Sequence, residues 1–226
     1  AKAFALTVAG RLKESSDLLT STERIPEYNN KSYIVSRNLV YTLNLLFSGN
    51  YQNLRETLFE FAKFAENAND KLNKHIYKLI LAWLTGKEGN YSQANVIFND
   101  ELTYFADEKI VTGALISWMF IAENHLLEGV NDQAEHVALK ALEIAQNPKF
   151  SQYHTAIYIQ KLIAEINLLK GDLITAKMYL EKAMLTAKQF GLDLAQIQLY
   201  RDYAKFLIIS MQQPDTNKDD CADKAN

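Results

Sequence analysis

The chain has 226 residues, 48% of them hydrophobic, and its 24 basic and 27 acidic side chains leave a net charge of −3. That is enough apolar material for a large core, and the mild acidity excludes a global attraction to nucleic acid or acidic membranes. The single cysteine, Cys221, excludes an intrachain disulfide framework and points to a reducing, cytoplasmic setting; no apolar run reaches the roughly 18 residues that a membrane helix needs.

In chain order the first element is a short helix over residues 1–9, ended by Gly10. This segment has neither an initiator Met nor a charged-then-apolar secretory layout. From there the periodicity predicts helices near 11–23, 31–48, 51–67, 71–87, 91–106, 109–128, 131–146, 151–170, 173–189 and 192–211. No strand is expected, because no period-2 alternation stands between turn signals. Pro26 and Pro148 fall between helices, where proline breaks nothing. The last residues, 212–226, are polar and charged and predict a disordered tail.

Five glycines set the period. Gly10, Gly49, Gly89, Gly129 and Gly171 are separated by 39, 40, 40 and 42 residues. Seven positions before each stand Ala3, Thr42, Ala82, Ala122 and Ala164, all small. Five positions after stand Ser15, Leu54, Ala94, Ala134 and Ala176, and nine after stand Leu19, Leu58, Phe98, Ala138 and Leu180. Small residues at fixed helical positions let two helices approach closely, and large neighbours fill the remaining space. Glycine ends the first helix of each unit, since it enters the left-handed cap without strain. Asn50, Asn90 and Asp172 follow directly and suit the start of the next helix. Each unit is thus a helix, a tight turn and an antiparallel helix, and a period of this length marks a stacked array.

These residues resemble the tetratricopeptide repeat. Ile121–Ala122 with Gly129, Ala134 and Ala138 carry the likeness in one unit, Leu81–Ala82 with Gly89–Asn90–Tyr91, Ala94 and Phe98 in another, and Ile163–Ala164 with Gly171–Asp172, Ala176, Leu180 and Ala183 in a third. The period is nearer 40 than the 34 usual in that family, as in the sensor arrays of large bacterial regulators. The resemblance implies an all-α fold, an α-solenoid coiled as a right-handed superhelix of antiparallel hairpins over residues 1–211. It begins within a unit, which predicts further chain upstream, and the helix near 192–211 is expected to cap the other end.

In that family the first helix of each hairpin lines a concave groove, at positions ten and six before the glycine. Here those are Leu39 and Leu43, Leu79 and Trp83, Met119 and Glu123, and Lys161 and Glu165. The set runs from apolar to charged and suits an apolar ligand segment with a charged end. A clamp for a terminal carboxylate needs several donors at these positions, and only Lys161 qualifies. The same stripe also fits ordinary core packing. Trp83→Ala separates the two: a groove tryptophan costs binding, and a core tryptophan costs stability.

Residue patterns that carry chemistry are few. His75, His125, His136 and His154 stand on different helices without an i, i+4 pair. Gly86-Lys87-Glu88-Gly89 lacks the phosphate-loop spacing and looks like a helix end with a spare glycine. Asp100–Glu101 and Asp107–Glu108 are expected to be solvated or capping. Asn30 and Asn90 open glycosylation sequons that matter only outside the cell. Lys71, Lys74 and Lys78 share a helix face beside His75, too few for a nucleic-acid reader. The expectation is therefore no enzyme, no cofactor, no metal, no membrane and no direct nucleic-acid contact. A protein- or peptide-binding module is expected instead, as the sensor of a larger transcriptional or signalling regulator, with a free-standing scaffold and a small-molecule sensor as alternatives. Homodimers through exposed array ends also fit.

Overall fold

The computed structural model describes residues 2–23, 31–67, 69–147, 149 and 153–212. Pro26, Pro148, the Asn30 sequon and the tail with Cys221 lie outside the described residues. Eleven helices follow one another: α1 Lys2–Val8, α2 Leu12–Glu23, α3 Lys31–Ser48, α4 Tyr51–Asn67, α5 Lys71–Lys87, α6 Tyr91–Asp107, α7 Val111–Glu128, α8 Asn131–Ala145, α9 Tyr153–Lys170, α10 Leu173–Gln189 and α11 Asp193–Gln212. No strand occurs among the described residues. The fold is all-α, and consecutive helices pack on one another along the whole chain.

Helix α4 shows why these segments fold as they do. It buries Leu54, Leu58, Phe61 and Ala65, spaced as one stripe of a 3.6-residue period. Each large apolar side chain removed from water contributes about 2 kcal/mol. The residues between them, such as Arg55, Glu56 and Glu60, stay in solvent.

The five periodic glycines all have positive φ, and the closure of each helix is the same. At Gly129, with φ 85°, the Gly129 N–H donates to the Leu126 carbonyl at 3.1 Å and the Val130 N–H to the His125 carbonyl at 2.9 Å. This pair of bonds satisfies the last carbonyls of the helix and requires a left-handed residue between them. The turns at the opposite ends of the hairpins use the same geometry. Among the described residues the left-handed ones there are Asn69 (φ 52°), Lys109 (φ 59°) and Gly191 (φ 63°). Helix starts are less uniform. Asp172 accepts from the Thr175 N–H at 3.0 Å, whereas Asn90 makes no side-chain capping bond, contrary to the expectation for it.

The repeat positions are the core. Thr42, Ala82, Ala122 and Ala164 are buried, as are Ser15, Leu54, Ala94, Ala134 and Ala176. Four apolar clusters succeed each other along the chain, and each spans three consecutive helices. A hairpin therefore completes its core only with its neighbours. Polar side chains join the same interfaces: Asn124 donates to the Tyr91 carbonyl and to Asn95 Oδ1, both at 2.9 Å. Gly86 is the last residue but one of α5, at the helix end expected for it, but it packs against Asn124 and is not spare. A Cβ there would lie 2.5 Å from Asn124 Oδ1.

Glu101 is the largest departure from the sequence reading. It lies within α6 and is 1% exposed, not solvated beside a loop. Its Oε2 shares a 2.6 Å hydrogen bond with His75 Nδ1, and Lys78 Nζ stands 3.8 Å from its Oε1. Tyr104 stacks on the His75 ring with centroids 3.4 Å apart.

Candidate functional site in the cleft between helices α9 and α11

The eight residues at the expected groove positions separate into three groups. Leu79 is only 3% exposed and belongs to the core shared by α5, α6 and α7, so the groove position assigned to it is corrected. Leu39, Leu43 and Met119 are half-buried, with Met119 packed against the core between α7 and α9.

Trp83 and Glu123 form the second group, and they bind each other. Trp83 Nε1–H donates to Glu123 Oε2 at 3.1 Å, and Lys87 Nζ donates to Oε1 of the same carboxylate at 2.5 Å. Lys87 also stands over the indole ring, and the rings of Tyr51 and Phe120 lie 5.6 and 6.2 Å from it. Equivalent positions of successive hairpins are thus joined by a staple, which uses the polar atoms a ligand would need. Trp83→Ala is expected to lower unfolding stability by about 2 kcal/mol, less than for a fully buried tryptophan. A urea melt with an unchanged midpoint would return Trp83 to the groove.

Lys161 and Glu165 form the third group and line an open cleft of about 280 Å³. Its apolar lining comes from Ala164, Leu168, Leu169, Leu180, Ile208 and Ile209. The charged groups at the rim are Lys161, Glu165, Asp202 and Lys205. Asp202 is the hub: Lys161 Nζ lies 3.2 Å from it, Arg201 Nε 3.4 Å and Lys205 Nζ 3.6 Å. Three cations thus surround one carboxylate. The α11 face beside the cleft exposes Tyr200, Leu207, Ile208 and Met211, and is not the polar outer face a capping helix presents. The α11 contributions escaped the sequence reading because this helix was assigned to capping. The run Leu207-Ile208-Ile209 followed by Met211 is the signal that marks it otherwise.

A second cleft, about 540 Å³, lies where α4 ends, α5 begins and α6 ends. Lys71, Lys74, Lys78 and His75 line it, as the shared helix face predicts, but Glu66, Asp70 and Glu108 line it too. Lys74 is paired with Glu66 at 3.3 Å. The mixture leaves no basic stripe. Among the described residues no three His, Cys, Asp or Glu side chains stand where they could hold a metal ion, and no helix is long and apolar enough to cross a membrane.

No protein-family model matches the chain, and no curated protein matches it. One solved structure with a similar fold is BtubC (BKLC) from P. vanneervenii, at 15% identity and a TM-score of 0.56, covering 90% of this chain and 87% of that one. At that identity the likeness extends to the all-α fold alone.

Proposed function

We propose that this chain is a tetratricopeptide-like helical-repeat module that binds a protein or peptide segment in the cleft between α9 and α11. The observation that carries the reading is an apolar floor bordered by two lysines and two carboxylates, contributed by two neighbouring helices. An extended or helical segment with apolar residues fits the floor, and an acidic side chain on it meets Lys205 at the rim. The odd-numbered helices also pack on one another, as α5 on α7, α7 on α9 and α9 on α11. Helices that touch their next-but-one neighbours lie on the inside of a curve, which supports a coiled solenoid with these helices inward. Such arrays serve recognition rather than chemistry, and we assign this one to the cytoplasm, as the sensor or interaction domain of a transcriptional or signalling regulator.

The test is a display selection of peptides against the folded chain, followed by affinities for two variants. Ile208→Glu places a charge on the cleft floor and is expected to weaken the selected peptides at least tenfold, or about 1.4 kcal/mol. Ile174→Glu alters an apolar residue that is 85% exposed on α10, outside the cleft, and is expected to change nothing. Equal loss in both variants, or in neither, refutes the site.

A further inference from the structure

The first turn of the chain touches its last helix. A Cβ built on Gly10 would lie 2.9 Å from the Leu194 Cβ and 3.3 Å from the Leu194 Cα, so the two backbones are in direct contact across most of the sequence. Charge accompanies the contact. The guanidinium of Arg11 is held in its protonated form chiefly by its hydrogen bonds to Glu14, with a smaller contribution from Asp193, the first residue of α11.

The two ends meet from opposite edges of the array. Gly10 belongs to the edge of turns that carries Gly49, Gly89, Gly129 and Gly171. Leu192–Leu194 belongs to the other edge, with the turns at Asn69 and Lys109. A flat ring would bring like edges level with each other. Opposite edges meet when the array rises by about one helix length, roughly 27 Å for 18 residues, as it comes round once.

We propose that the Gly10 turn docks on the N-terminus of α11 as a seam that closes the array into one turn of a coil, and that α11 carries the state of this seam to the cleft. Glycine at position 10 is what permits the approach, since any side chain would collide with Leu194. The seam is small and Leu194 remains half-buried, which suits a contact that opens and closes. Helix α11 runs from Asp193 to Gln212 without glycine or proline, so it moves as a rod. Leu194 stands at one end of the rod, and Asp202, Lys205, Ile208 and Ile209 stand in the cleft farther along it. A segment that binds the cleft differently in the two seam states shifts the population between them. The closure stands on geometry alone, while its consequence for binding rests on the cleft being the binding site.

The experiment uses the full chain with Cys221→Ser, Arg11→Cys and Asp193→Cys, treated with a short bismaleimide. Docked residues react as neighbours at high effective concentration, so an intramolecular cross-link at monomer mass is expected at least about tenfold faster than in the control pair Arg11→Cys and Met211→Cys. Position 211 lies 18 residues farther along the helix, roughly 27 Å away. Adding Leu194→Trp to the first pair places bulk against Gly10 and is expected to remove most of that advantage, with the helical circular dichroism signal retained. Equal rates in the two pairs overturn the closure. Hydrogen exchange then reads the coupling: amides of 202–211 are expected to exchange more slowly in the cross-linked protein and faster in Leu194→Trp. Identical exchange in a protein that does cross-link overturns the transmission through α11. Neither readout uses a ligand, so failure here is distinct from failure of the cleft.

Discussion

Replacing His75 with Ala is expected to cost about 3 kcal/mol of unfolding free energy, because it strips a buried carboxylate of its hydrogen-bonded partner. Glu101 is 1% exposed, and its Oε2 shares the 2.6 Å hydrogen bond with His75 Nδ1. With the imidazole gone, Lys78 at 3.8 Å remains as the cationic neighbour, half in solvent, and the ring of Tyr104 loses its stacking partner. The same argument predicts non-additivity. His75→Ala combined with Glu101→Met removes the carboxylate together with its partner, and exchanging both members of a buried hydrogen-bonded pair for apolar groups is often close to neutral. The double variant is therefore expected to be more stable than His75→Ala alone, with a coupling of about 2 kcal/mol in a cycle of urea melts. A loss below about 1 kcal/mol in His75→Ala would mean that water reaches Glu101 through the neighbouring cleft, and that the carboxylate is solvated rather than buried.

The repeat was legible because glycine reports backbone geometry directly. Where one residue type meets the left-handed turn in every unit, the period appears in the sequence, and the helices observed follow the predicted ones within two residues at each end. The turns at the other edge have the same geometry but add no repeat signal of their own, because three different residues, Asn69, Lys109 and Gly191, meet it there. A lysine in that conformation costs about 1 kcal/mol and carries no sequence signal. The small residues at fixed positions were legible for the same reason as the glycines: close helix approach admits few side chains. Facing was harder. Leu79 and Trp83 share a stripe, yet one is core and the other half-buried, since positions four apart on one helix meet different neighbours. Glu101 was misassigned because a carboxylate is ordinarily solvated, and its partner stands 26 residues earlier on another helix. The seam between Gly10 and Leu194 has no local signature at all, as it depends on the curvature summed over every hairpin between them.

Gly113→Ala inverts the usual expectation for a helix. Gly113 lies in the first turn of α7, and in a helix alanine is preferred over glycine by about 1 kcal/mol on backbone entropy alone. Here the space is taken. A Cβ at position 113 would lie 2.7 Å from Phe105 Cε1 and closer still to Cδ1 and Cγ. Phe105 is 1% exposed and sits in the core shared by α5, α6 and α7, so the ring has no solvent to retreat into. Its ring also lies 6.4 Å from that of His75 and 5.4 Å from that of Tyr104, so a shift would disturb the contacts around Glu101. Overpacking of this kind costs about 1–3 kcal/mol. The steric cost exceeds the propensity gain, and a net loss of about 1 kcal/mol is expected in chemical denaturation. Phe105→Leu in the same chain makes room for the methyl group, so the double variant is expected to lose less than the two single losses added together. A Gly113→Ala protein as stable as the parent would show that α6 and α7 separate at little cost, and that the close approach of these two helices is not what fixes the hairpin.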